Sequence, residues 1–227
     1  MAISERPDLT SEDEARFRSP WDGQRMTLEE FLALPEEKPY LEYVDGVVQQ
    51  KMAPTPDHIE LQAILRNTLN ASADGRHLGR AFTEVRFVHE GVAFVPDVGY
   101  YRREHLQVLP GRRYAQNLGV PDIAIEVVSP EQRLTRQIQK CLRFLELGAA
   151  LSLVVDPEDE AVLAFRPGQQ PVVLRGADRI DLDDVLPGFP LTVEQLFRAV
   201  VPDWLVDGQS ADSSQADDAA APDRSDG

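Results

Sequence analysis

The stretch that decides the fold is PDIAIEVVSP, residues 121–130, a short apolar run bounded by two prolines. Its length and its β-branched residues are typical of a buried strand. A carboxylate inside such a strand loses most of its hydration, so Glu126 needs a cation, a proton or a metal ion as a partner. A structural glutamate neutralised by an arginine and a glutamate in a functional site explain this pattern equally well.

The residues after this strand predict a crossover helix and a second buried strand. A helix is expected from about position 131 to 147, ended by Gly148, and the apolar run 151–155 follows it. Strand, helix and strand in this order indicate a βαβ unit with parallel strands. The apolar stripe of the helix consists of Leu134, Ile138, Cys141, Leu142 and Leu145. Lys140 lies on a flank of this stripe.

Two hairpins and a helix are predicted upstream. Asp45-Gly46 indicates a tight turn between strands at 40–44 and 47–51, and a second hairpin turns at Glu90-Gly91. Asp97 follows Pro96, which cannot donate to a strand ladder, so an edge or a bulge is expected there. A helix begins near Asp57, and His58 falls in its first turn, where an exposed histidine is usually unremarkable and is not expected to reach the site.

Length and composition favour one α/β domain, at residues 24–201. The chain has 227 residues, a hydrophobic content of 42% and one cysteine, which together indicate a reducing cytoplasm. Residues 1–23 are expected to form a mobile arm and residues 202–227 a disordered acidic tail. No apolar run approaches the roughly 20 residues that span a bilayer, so no membrane association is expected.

The net charge of -16 argues against nonspecific affinity for nucleic acid. The segment 102–143 differs from the rest, because its eight lysines and arginines against four acids give a net charge of +4. Its candidates for contacts with nucleic acid are Arg102, Arg103, Arg133 and Arg136. A solvated helix face and an exposed loop are the alternative explanation.

Asp97 after a proline and Glu126 in an apolar strand resemble the PD-(D/E)XK arrangement of the restriction-endonuclease-like superfamily. The common form places a lysine two residues after the second acid, where this chain has Val128. A strand that ends in EVVSP and a lysine that has moved to the next helix, here Lys140, resemble the Uma-two family of bacterial endonucleases. The segment YLEYVDG at 40–46 resembles the N-terminal signature of that family. The resemblance covers roughly residues 26–197.

The resemblance implies a mixed central β-sheet flanked by helices and N-terminal hairpins. It also implies a metal-dependent endonuclease that hydrolyses phosphodiester bonds, with DNA as the expected substrate. Asp97 and Glu126 would hold Mg²⁺ or Mn²⁺, Lys140 would orient water or stabilise the developing anion, and Glu42 would be an outer acid. These side chains should therefore meet at one end or edge of the sheet.

Close carboxylates repel, so Asp97 or Glu126 should have a raised pKa unless Lys140 offsets the repulsion. A homodimer would suit the cleavage of both strands of a duplex. The alternatives are a nonenzymatic module of the same fold that binds nucleic acid or a protein, and a metal-dependent hydrolase of small phosphoesters.

Overall fold

The structure is a computed structural model that describes residues 18–130 and 132–206. The helices are α1 (Leu28–Leu32), α2 (Pro56–Asp74), α3 (Leu134–Glu146) and α4 (Val193–Arg198), with a 3₁₀ turn at Arg103–His105. The strands are β1 (Leu41–Val44), β2 (Val47–Gln50), β3 (Gly79–Thr83), β4 (Phe87–His89), β5 (Val92–Phe94), β6 (Val98–Arg102), β7 (Val108–Leu109), β8 (Arg113–Tyr114), β9 (Ile123–Val127), β10 (Leu151–Asp156), β11 (Ala161–Phe165) and β12 (Val172–Arg175). Within the described ranges, no helix is both long enough and apolar enough to cross a membrane.

The centre of the fold is a six-stranded mixed sheet with the strand order β12-β11-β10-β9-β6-β3. β9 and β10 pair in parallel, and the other neighbours pair antiparallel. Since α3 connects the two parallel strands, the βαβ unit predicted around Glu126 is confirmed. A mixed sheet with helices packed on it is the predicted fold class.

α2 covers one face of this sheet. Its leucines at 61, 65 and 69 are fully buried and pack in one cluster with Ile123 and Ile125 of β9. The spacing of four residues places all three on one side of the helix. Truncating one of them to alanine would cost about 2–5 kcal/mol, because it removes apolar contact and leaves a cavity. These contacts anchor β9 against the helix.

α3 covers the opposite face, but it is rotated relative to the prediction. Its buried residues are Gln137, Cys141 and Phe144, whereas Leu142 of the predicted stripe is 44% exposed. The reason is an aromatic cluster, because the Phe144 ring packs at 5.9 and 5.2 Å, between centroids, from two phenylalanines of β4 and β5. The rotation turns Lys140 from the flank of the helix toward the sheet.

One long hairpin joins the six-stranded sheet to a second sheet. This second sheet has the order β2-β1-β5-β4, while β3 and β6 continue the hairpin in the larger sheet. The pairing register is the same on both sides of the break, since Phe87 lies opposite Phe94 and Thr83 lies opposite Val98. The second predicted hairpin is therefore present, and it bends from one sheet into the other.

Asp97 lies at this bend. The pairing stops at Pro96, as predicted, because proline has no N–H to donate. Across the hairpin, Glu84 adopts a φ of +53°, in the left-handed region, and its N–H reaches the Asp97 carbonyl oxygen at 3.3 Å. The bend frees the side chain of Asp97 from a regular ladder position, so its carboxylate can turn toward β9.

The first predicted hairpin, β1 and β2, is also present. Its turn residues Asp45 and Gly46 have φ angles of +50° and +81°, which suit a two-residue turn with both central residues in the left-handed region. Glu42 lies opposite Gln49 in this pair. The same register places Lys51 opposite Tyr40, and the Lys51 N–H donates to the Tyr40 carbonyl at 2.9 Å.

The predicted terminal segments fall mainly outside the described residues. Positions 1–17 of the expected arm and 207–227 of the expected tail cannot be compared with the prediction. Residues 18–23 pack on β2, where the Ser19 N–H donates to Gln50 Oε1 and the Gly23 N–H donates to the Val48 carbonyl, both at 2.8 Å. Residues 18–23 thus lie against β2, and the extent of the expected arm stays a prediction.

Candidate active site

The site begins where β6 and β9 run side by side. Val98 pairs with Ile125, and the antiparallel register extended by one residue brings Asp97 opposite Glu126. Both side chains are buried, each with 1% of the residue exposed. Oδ2 of Asp97 accepts the N–H of Val127 at 2.7 Å, which ties the bend to β9. The two acids predicted to act together thus lie on neighbouring strands and on the same sheet face.

Lys140 reaches this pair from α3. Its Nζ lies 2.9 Å from Oε1 of Glu126 and 2.7 Å from Oε1 of Glu42. The Glu42 oxygen also accepts the Val95 N–H at 2.8 Å, so this acid links β1 to the bend. The rings of two phenylalanines, at 5.8 and 5.6 Å from the ammonium, cover its other side. The structure therefore brings Lys140, Glu42 and Glu126 together.

A second lysine, which the sequence analysis missed, occupies the site. Nζ of Lys51 lies 2.5 Å from Oδ1 of Asp97 and donates to the Val95 carbonyl at 2.7 Å. The nearest ammonium to Asp97 is thus that of Lys51, whereas the Lys140 ammonium contacts Glu42 and Glu126. A signal was present in the sequence, because the Asp45-Gly46 turn fixes a register in which Glu42 and Lys51 share one face of the hairpin.

His58 also belongs to the site, contrary to the expectation of an exposed histidine. It is buried, with its Nε2 at 3.4 Å from Oδ1 of Asp97 and its Nδ1 at 2.9 Å from Oγ of Ser129. The amide of Gln62, one turn further along α2, lies 3.0 Å from the ring and donates to Asp97 at 3.2 Å. These contacts fix the orientation of the Asp97 carboxylate.

Burial and neighbouring charges move the pKa values of the two central acids in opposite directions. Burial, assisted by the charge of Asp97, raises the pKa of Glu126 to about 7, although Lys140 acts against this shift. Burial alone would also raise the pKa of Asp97, but Lys51, His58 and Lys140 outweigh it and hold that pKa well below its usual range. A raised pKa for at least one of the two acids was predicted. For Glu126, burial contributes more to the raised pKa than the charge of Asp97 does.

The acids line an open cleft with a volume of about 670 Å³. Arg136 of the predicted contact residues lies in its wall, where it donates to Gln49 at 2.9 Å. Arg133 is exposed at the start of α3, outside the cleft lining. The structure does not bring Arg102 and Arg103 to the site, because β6 separates them from Asp97 by five or six residues, or about 17–20 Å. Arg102 instead pairs with a buried aspartate at the far end of the sheet.

The donor atoms present fit a hard divalent cation. Oε1 of Glu126 is buried and lacks a hydrogen-bond partner, since the Lys140 ammonium near it forms an ion pair without hydrogen-bonding geometry. Carboxylate oxygens of this kind are preferred ligands of Mg²⁺ and Mn²⁺. In the described part of the chain, no cluster of three or more His, Cys, Asp or Glu side chains is arranged around a common metal position. The two acids would therefore share the coordination with water or substrate oxygens.

A mixed sheet with two acids on neighbouring strands and a lysine from the crossover helix defines a restriction-endonuclease-like protein. The profile of the Uma2 family, described as "Putative restriction endonuclease", matches residues 28–194, and the chain belongs to this family. It is the family that the sequence resembles.

The solved structures that are similar to the chain include the following two. A "putative nuclease belonging to DUF820 from Anabaena variabilis ATCC 29413" is 28% identical with a TM-score of 0.73, and the match covers 78% of this chain and 99% of that one. A DrdV-DNA complex studied by cryo-electron microscopy is 17% identical with a TM-score of 0.34, over 69% of this chain and 13% of that one. No curated protein matches. The family and the first structure support a nuclease.

Proposed function

We propose that this protein is an endonuclease that hydrolyses phosphodiester bonds of DNA with the help of Mg²⁺ or Mn²⁺. The observation that carries this proposal is the meeting of Asp97, Glu126 and two lysines at one open cleft, with a Glu126 oxygen left without a hydrogen bond. Buried charge is costly, and such a concentration of it in a cleft is typical of a functional site. The family assignment supports the same reaction class.

Asp97 and Glu126 would hold the divalent ion, which when bound supplies an acidified water and neutralises charge on the phosphate. Val127 N–H, Gln62 and His58 fix the Asp97 carboxylate before the ion binds, so little reorganisation is needed. Because its pKa is raised to about 7, Glu126 is neutral for part of the time near pH 7 without a metal ion, and a bound divalent ion would favour its ionised form.

Lys140 would act on the reacting groups. Glu42 and Glu126 hold its ammonium at 2.7 and 2.9 Å, and the buried surroundings strengthen its field at the cleft. A fixed ammonium beside the acids can orient the attacking water and stabilise the negative charge that develops on the phosphate. Glu42 is then a positioning residue, since it contacts the lysine and the Val95 N–H rather than the metal ion.

Phosphate contacts would come from the wall of the cleft. Lys38, Arg136 and Arg143 line it in addition to the two buried lysines. Lys38 pairs with Glu84 and Arg143 pairs with Glu146, and both acids also line the cleft, whereas Arg136 donates to the neutral Gln49 and is the wall cation best placed to contact a phosphate. Contacts of this kind position a nucleic acid without reading its sequence. They are the reason for preferring a polymeric substrate over a small phosphoester.

The test is cleavage of plasmid, single-stranded DNA and RNA by the purified full-length chain with Mg²⁺, with Mn²⁺ or with chelator. We expect plasmid nicking that requires metal and that is lost in Asp97→Asn. Asp156→Asn is the matched control, because Asp156 is a buried aspartate at the end of β10, outside the cleft. Equal cleavage by wild type and Asp97→Asn would identify a contaminating nuclease.

Tight binding of DNA by the wild type without cleavage under any of these conditions would favour the nonenzymatic module of the same fold. Cleavage of a small phosphodiester but of none of the polymers would favour the small-phosphoester hydrolase. The homodimer and the cytoplasmic location stay predictions, and sedimentation of the purified chain tests the first of them.

A further inference from the structure

Lys51 holds the place beside Asp97 that a bound cation would need. Its ammonium lies 2.5 Å from Oδ1 of Asp97, which is the distance of a direct ion pair. A divalent ion on the same carboxylate would lie about 2.0–2.6 Å from an oxygen. Two cations that close to one carboxylate group repel each other strongly in a buried site. The metal ion and the ammonium therefore compete for Asp97.

We propose that Lys51 is a resident counter-cation, which neutralises Asp97 in the metal-free protein and which a divalent ion must displace in order to bind. The inference rests on the proposed function only for the assignment of Asp97 as a metal ligand. It concerns a residue directly after β2 that the sequence analysis did not single out. It makes Lys51 a positioning residue that sets the metal affinity of the site.

The contacts of Asp97 show that the carboxylate would keep its orientation after displacement. Oδ2 accepts the Val127 N–H at 2.7 Å, and the Gln62 amide donates to Oδ1 at 3.2 Å. Neither contact involves the lysine. The Val95 carbonyl, which accepts from Lys51 at 2.7 Å, also has the Lys140 ammonium at 3.5 Å. Every group that Lys51 would leave thus retains another partner.

The two lysines of the site differ in how firmly they are held. Lys140 contacts two acids and lies between the rings of Phe94 and Phe144. Lys51 contacts one carboxylate and one carbonyl oxygen, and like Lys140 it lines the open cleft. Its flexible four-carbon stem allows the ammonium to turn into the cleft. The geometry therefore identifies Lys51 as the cation that moves.

The first test is calorimetric titration with Mn²⁺ alone at pH 8. We expect Lys51→Gln to bind Mn²⁺ at least tenfold more tightly than the wild type, or roughly 1.4 kcal/mol. Glutamine still offers a hydrogen bond to Asp97, so this variant should fold. Arg66→Gln is the control, because Arg66 is an exposed cation of α2 outside the cleft lining, and its affinity should stay within twofold of the wild type. A folded Lys51→Gln with unchanged or weaker affinity overturns the proposal.

A second test uses the wild type and does not depend on a variant that folds. Acylation of lysines, followed by mass spectrometry, should modify Lys51 slowly in chelator and at least fivefold faster with saturating Mn²⁺, while Lys38 reacts at the same rate in both. No acceleration at Lys51, or no Mn²⁺ binding at all, overturns the inference. Neither test uses nucleic acid, so a wild type that cuts no substrate would refute the proposed function and leave this result standing.

Discussion

The buried charge of Glu126 should make the stability of the metal-free protein depend on pH in a way that one substitution removes. The pKa of Glu126 rises from the model-compound value of 4.5 to about 7, mainly because of burial. The folded state therefore binds a proton more tightly than the unfolded state does. The stability contributed by this proton is present at low pH and is lost as the pH rises from about 4.5 to about 7.

The magnitude follows from the size of the shift. A rise of about 2.5 units corresponds to about 3 kcal/mol of destabilisation once the group is ionised in both states, above about pH 7. Glu126→Gln keeps the shape and abolishes the ionisation. We expect this variant to gain about 3 kcal/mol relative to the wild type at pH 8, and less than about 1 kcal/mol at pH 5.

Urea unfolding of both proteins in chelator at pH 5, 6.5 and 8 measures this difference. Glu146→Gln is the control, because Glu146 is an exposed residue of the same helix as Lys140, and its effect should be small and independent of pH. A difference between Glu126→Gln and wild type that stays constant from pH 5 to pH 8 would refute the argument from burial.

Three further predictions concern the site. Lys140→Ala should slow cleavage by about 100-fold or more and still bind Mn²⁺, and Lys140→Arg should rescue poorly; a complete loss of metal binding would contradict the assigned role. Mn²⁺ affinity, measured by calorimetry, should fall up to about tenfold per pH unit below about 7, because Glu126 must release its proton; a flat profile would contradict this. Arg136→Ala should lower the salt dependence of DNA binding by about one phosphate contact, whereas Arg103→Ala at the far end of the sheet should not.

Much of the fold could be predicted because its signals are local. The apolar run around Glu126, Gly148 at the end of α3 and the Asp45-Gly46 turn each specify one element without knowledge of the rest. The interruption of the strand at Asp97 could also be predicted, since Pro96 has no N–H to donate to a neighbouring strand. The assignment of Lys140 came from the resemblance to a family, as its position on the flank of a helix was uninformative.

The remainder depends on tertiary packing. The rotation of α3 follows from an aromatic cluster whose members come from three elements, so periodicity within the helix could not reveal it. His58 is buried because the bent hairpin lies over the first turn of α2. The sequence could have shown that Arg102 lies far from the site. Asp97 precedes β6 and Arg102 ends it, so an extended strand separates the two residues.

The bent hairpin makes the site sensitive to strand registration. Side chains alternate between the two faces of a sheet, so a slip of one residue between β6 and β9 would move the carboxylate of Asp97 away from Glu126. A misregistered chain could keep most of its hydrogen bonds and would still lack the acid pair. Metal binding would then test the alignment of these two strands as well as the presence of the two acids.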